Sequence, residues 1–135
     1  MNPLTALTAV AATAFLLVGC SQPGPSDTTI RECILDVTDH QAVGVERPNV
    51  VMGMEIGTTV IDAIDIENVI EEGNNTWLVY SRLTVGSRDM HSSEQDSKAT
   101  AQMFGFEYRD GYLLQDVEVN YLFNEGRQGW SCREL

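Results

Sequence analysis

Three cysteines are the residues whose chemistry is most constrained by position: Cys20, Cys33 and Cys132. Cys20 closes an apolar N-terminal run and supplies the one thiol there that could take a thioether-linked lipid. Cys33 and Cys132 lie near the two ends of the remaining chain. In an oxidising compartment these two are expected to pair. One bridge would close a loop of roughly 100 residues, for which a chain-entropy treatment gives about 4.7 kcal/mol. Two separate buried thiols are the alternative.

Soft metal chemistry has a second candidate set. Met52, Met54, Met90, His91 and Met103 offer thioethers and an imidazole, ligands that suit Cu(I). Met52, Met54 and His91 are its core, because the two methionines would point to one side of a strand. The same alternation serves a core face, and Met fills cores well, so packing is the expected role and no metal or other cofactor is expected. Only His40 and His91 are present. On a helix, Glu32, Asp36 and His40 would align as possible ligands, although a solvated acidic face with one surface histidine is the expected reading. No serine sits in a Gly-x-Ser-x-Gly setting, and no Gly-rich phosphate loop follows a strand. Trp77, Tyr80, Tyr108, Tyr112 and Tyr121 stand at strand spacing and are expected to pack. An enzyme is therefore not expected.

The N-terminus has a recognisable grammar. Residues 4–18 are uncharged and rich in Ala, Leu, Val and Thr. The run matches a signal-peptide core and is short of the about 20 helical residues that a bilayer needs. It ends in Leu17-Val18-Gly19-Cys20. This resembles the lipobox of bacterial lipoprotein precursors. The first ten residues contain no Lys or Arg, a departure from the usual signal n-region. The resemblance implies diacylglyceryl transfer to Cys20, cleavage after Gly19 and acylation of the new N-terminus. Residues 1–19 would be a cleaved signal peptide, 20–27 a lipidated cysteine and tether, and 28–135 a single β-rich domain. Ser21 after the cysteine implies the outer membrane in a diderm. In a monoderm the same anchor implies the outer face of the plasma membrane.

All charged side chains lie after that region, and 8 basic against 20 acidic residues leave a net charge of −12. Such a surface repels nucleic-acid phosphates and anionic headgroups, so membrane attachment would rest on the lipid at Cys20. It would also steer a basic envelope protein toward the domain.

Elements to position these residues follow from pattern. Residues 21–27, SQPGPSD, read as a linker. Residues 28–41 carry both a helical stripe (Ile30, Ile34, Val37) with a Thr29–Glu32 capping box and a β-branched strand pattern. A strand is expected there, with a helix as the alternative. Residues 50–56 alternate as a strand, and residues 64–85 read as a long hairpin turning at Gly73-Asn74-Asn75-Thr76. Residues 86–100 read as a polar loop. Residues 101–108 place Gln102, Phe104, Phe106 and Tyr108 on one face of a further strand, and residues 112–123 return as another.

Successive hairpins predict a mainly β fold: a small antiparallel sandwich or partly closed barrel, or else one helix on a curved antiparallel sheet. The spacing of the last four strands is similar to cystatin-like and nuclear-transport-factor-like α+β folds, with no sequence motif behind it. The function expected is a membrane-anchored, non-catalytic binding or assembly module of the cell envelope, for example an inhibitor of a basic protein. A small-ligand or Cu(I) carrier is the alternative.

Overall fold

A computed structural model describes residues 23–135. Cys20 and the signal region lie outside the described residues. The elements are α1 (Asp27–Val37), β1 (Arg47–Val51), β2 (Met54–Gly73), β3 (Thr76–Asp89), α2 (Glu94–Phe104), β4 (Glu107–Arg109), β5 (Tyr112–Gly126) and β6 (Gly129–Glu134).

All six strands join one antiparallel sheet in the order β1-β2-β3-β5-β4, with β6 also paired to β5. The sheet does not close on itself, and α1 packs against it. This is the mainly β class that the hairpin pattern predicts, in its helix-on-sheet form. Alternation along β3 decides which face is buried: Trp77, Val79, Ser81 and Leu83 are buried, whereas Leu78, Tyr80 and Arg82 are not. Register extends that face sideways. Val79 lies between Val69 and Tyr121, and Trp77 between Glu71 and Phe123. Ile30 and Ile34 of α1 close the core over these rows. Each such burial contributes about 1.5–3 kcal/mol. Of the two buried hydroxyls in these rows, Ser81 Oγ donates to the Val119 carbonyl at 2.8 Å, whereas the Tyr121 hydroxyl has no hydrogen-bond partner among the described residues.

The expected strand at residues 28–41 is a helix. Ser26, not Thr29, is its N-cap and accepts from the Thr29 amide at 3.1 Å. Asp27 pairs with Arg31 one turn on, at 2.7 Å. The β-branched residues cost a few tenths of a kcal/mol each in a helix. Burying Ile30 and Ile34 on one helical face outweighs that cost. The helix also begins ahead of the boundary drawn at residue 28. Pro25 is buried, and Gly24 lies so close to Trp77 that an added Cβ would sit 3.0 Å from its Nε1. The linker read from residues 21–27 therefore gives way to folded chain by Gly24.

The polar stretch after residue 86 is corrected in the same way. β3 continues to Asp89, and Ser93 then caps α2 by accepting from the Asp96 amide at 3.1 Å. Glu94 and Lys98 pair at 2.8 Å along the helix. Gly105, at φ 74°, ends it. Phe104 thus belongs to a helix, and the strand expected over residues 101–108 shrinks to β4. The cap and the intrahelical pair use polar residues, so the segment shows no apolar stripe in the sequence.

Candidate functional site at the β1–β2 end

The β1–β2 hairpin turns through Met52 and Gly53, at φ 50° and 77°, between the paired residues Val51 and Met54. Two successive left-handed residues are the geometry that matches the twist of a two-residue hairpin. Gly53 adopts it freely, and Met52 does not. The other non-glycine residues at positive φ among the described residues are Asp39, Asn74, Asn75 and Asp110, all types that tolerate the region. For Met52 the conformation costs roughly 1–2 kcal/mol. Its side chain is also 95 % exposed. Around it Val50, Val51, Met54, Ile56 and Met90 are exposed as well. Met90 joins them because its amide donates to the Ile56 carbonyl at 3.1 Å.

Two recesses flank this hairpin and share Asn49. A groove of about 710 Å³ runs along β1, with Asp39, Glu46 and Arg47 at one end and Val50 and Val51 at the other. A cleft of about 550 Å³ lies between α2 and the sheet, lined by Asn49, Ile56, Ser87, His91, Ser97 and Thr100 among others. Its hydroxyls, amide and imidazole could bind polar groups. Asp89 Oδ1 accepts from the His91 amide at 2.8 Å, and Oδ2 from Ser92 Oγ at 3.2 Å. The backbone bond from His91, with that from Ser92 adding to it, holds the Asp89 carboxyl below its ordinary value. The carboxylate is thus spent on the turn and does not orient the imidazole. Among the described residues no hydrogen bond joins a serine hydroxyl to His91. Arg88 is engaged too, with Glu46 at 3.0 Å and the Tyr112 ring at 4.9 Å.

The methionines are not core residues, contrary to the packing role expected of them. Met52 and Met54 lie in and beside the turn, Met90 follows β3, and Met103 is exposed on α2, away from the rest. The strand alternation that suggested a core face breaks at Met52, because the hairpin turns there. Glu32, Asp36 and His40 do not gather either. α1 stops at Val37, Thr38 caps it, and the left-handed Asp39 turns His40 off the helix axis into a buried position. Glu32 and Asp36 stay exposed. Among the described residues no three His, Cys, Asp or Glu side chains form a metal-holding group.

Cys33 and Cys132 are brought together at disulfide distance, their Cα atoms 6.2 Å apart, joining α1 to β6. Of the aromatics expected to pack, Trp77 and Tyr121 are buried. Trp77 meets Trp130 edge-on at 5.1 Å. The cleft residues Asn49, Ser97 and Thr100 escape sequence reasoning. The cap spacing of Ser93 and Asp96 is the signal that could have placed Ser97 and Thr100 on a helix. No protein-family model, curated protein or solved structure matches the chain.

Proposed function

We propose that this chain is a lipid-anchored envelope protein whose folded domain is a non-catalytic docking module, with the β1–β2 end as its contact surface. The observation that carries the reading is Met52. An apolar side chain almost fully in water, on a backbone that disfavours it, costs folding stability and gains nothing within the fold. Contiguous exposed apolar residues around it are what an interaction site looks like.

The placement of the chain start supports the same reading. The chain enters the fold at Gly24, against Trp77, beside the turn between β2 and β3. Met52 stands beyond the opposite end of β2, a strand of 20 residues. At about 3.3 Å per residue that end lies up to roughly 65 Å from the turn. With diacylglycerol on Cys20, the apolar end would point away from the anchoring membrane. It would face the periplasm from an outer membrane, or the outside from a monoderm plasma membrane.

The partner is a protein with an apolar socket edged by Lys or Arg. The net charge of −12 steers such a surface and opposes a second copy of this chain. An inhibitor of a basic enzyme is one concrete form. The test places a photo-crosslinking residue at Met52 or, as a control, at Thr84 on the outer sheet face, in cells expressing the full chain. A single adduct with a basic protein from position 52, lost at high salt and absent from position 84, supports the reading. No adduct, or equal adducts from both positions, overturns it. Intact mass of the membrane fraction tests the anchor. Uncleaved residues 1–19 without acyl mass would exclude it.

A further inference from the structure

We propose that the open edge of β5 between β4 and β6 takes up an extended, basic segment of another protein as an added strand. This second surface goes beyond the docking reading at the β1–β2 end and does not depend on it.

Register is the first argument. β3 runs along one edge of β5, and β4 and β6 pair with the other edge from its two ends. β4 stops where Glu107 meets Leu114. β6 stops where Glu134 meets Tyr121, and the Leu135 amide makes the last bond, 2.9 Å to the Asn120 carbonyl. Residues 115–119 therefore have no strand on that edge among the described residues, over a gap roughly 17 Å long. The Asn120 carbonyl faces the gap side, so alternation turns the N–H and C=O groups of Glu118 and Asp116 the same way. Unpaired main chain on a sheet edge is a template for strand addition.

The other long edge is blunted, and this one is not. Along β2 the Gly44 amide donates to the Ile61 carbonyl at 2.8 Å, and Arg31 Nη1 to the Ile64 carbonyl at 2.7 Å. Further on, Asn68 Oδ1 accepts from the Val69 amide at 2.9 Å, and the register shifts between Ile66 and Asn68 and between Glu71 and Gly73. β1 carries Pro48 and its own register shift after Asn49. Covering groups, proline and bulges are how proteins protect edges. β5 keeps unbroken register with β3 from Leu113 to Asn124.

Charge and shape name the occupant. Asp116 and Glu118 are exposed, with their side chains on the outer sheet face beside Thr84 and Arg82. Arg82 is shared between Glu67 at 2.9 Å and Glu118 at 3.3 Å, so the row stays acidic. A second copy would set acid against acid, whereas Lys or Arg at alternate positions would complement Asp116 and Glu118. At the β4 end Phe104, 64 % exposed, stacks on Phe106 at 5.9 Å. Both rings line a recess of about 360 Å³ with Leu114 and Asp116, a seat for one large apolar side chain.

Amide spectra of the isotope-labelled protein, titrated with the capped peptide Lys-Val-Lys-Val-Phe, test the proposal. Glu-Val-Glu-Val-Phe is the control probe. Laid antiparallel to β5, the lysines stand opposite Glu118 and Asp116, and the Phe reaches the recess. The lysine peptide should shift residues 104–106 and 115–119 and slow hydrogen exchange at the Asp116 and Glu118 amides. The glutamate peptide should do neither. Glu118→Gln should weaken binding about two- to fivefold, the share of one cross-strand ion pair. Glu118→Pro removes an outward N–H without breaking a bond to β3, and should abolish binding. No shift at millimolar lysine peptide, equal response to both peptides, or unchanged exchange at the two amides overturns the proposal, whether or not Glu118→Pro folds. Shifts at residues 115–119 that grow with protein concentration alone would give the edge to a second copy and overturn it too. Crosslinking from position 52 should survive Glu118→Gln, so this surface and the docking module fail separately.

Discussion

The Cα atoms of Cys33 and Cys132 lie 6.2 Å apart although 99 residues separate them in the chain. The pair ties the first helix to the last strand, so nearly the whole domain lies inside one loop. Replacing both by serine should lower unfolding stability by about 4–5 kcal/mol on the chain-entropy treatment. Denaturant unfolding measures that loss. Non-reducing peptide mapping of the exported protein should recover one linked pair, and two alkylatable thiols would contradict it.

Met52→Asn should stabilise the fold and weaken the docking contact together. Asparagine accepts the left-handed conformation at φ 50° and makes the preferred Asn-Gly hairpin turn with Gly53. A gain of about 1 kcal/mol is expected. Thermal unfolding reads it as a rise of about 4–8 °C for a domain of this size class. The same variant should lose retention by the partner captured at position 52. A stability loss would mean that the methionine side chain packs.

Gly86→Ala should destabilise without any change of charge. An added Cβ would come within 2.8 Å of both Leu114 Cδ2 and Val60 Cγ1, a packed layer that leaves it no room. Overpacking of this kind costs about 1–3 kcal/mol. Pairing Gly86→Ala with Leu114→Ala, which removes one of the obstructing groups, should cost less than the two single changes added. Additivity would rule out the steric account.

Tyr121 should make the protein sensitive to alkali. Burial first, and then the Glu134 charge opposite it on β6, push its phenol up to about 12. An unfolded tyrosine ionises near pH 10, so between roughly pH 10 and 12 the unfolded chain releases a proton that the folded one keeps. Stability from this group is complete below about pH 10 and falls as pH rises toward 12. Phenolate absorbance of the folded protein should show one tyrosine titrating last, and Tyr121→Phe should reduce the alkaline loss.

How much of this was legible in the sequence depends on what kind of interaction decides each element. The turn at residues 73–76 and the strands beside it follow from local chemistry. Asn74 and Asn75 accept positive φ, and β-branched and aromatic residues alternate in β3. Pairing of Cys33 with Cys132 was likewise readable, because only two cysteines follow Cys20. The helix at α1 was not. Its β-branched residues fit either periodicity, and the choice rests on burying Ile30 and Ile34 against strands that lie far along the chain.

Composition and local pattern by themselves determined the mainly β class, the acidic surface and the likeness of the N-terminus to a lipoprotein signal, since each depends on residue types or near neighbours alone. Tertiary structure decided where the methionines go. Val50, Met52 and Met54 read as one alternating strand, yet the chain reverses at Met52 and carries them to an exposed end beside Met90. Alternation records only that successive side chains point opposite ways. Whether a face meets a core or water depends on what packs against it, and at this end neither α1 nor α2 covers the hairpin tip.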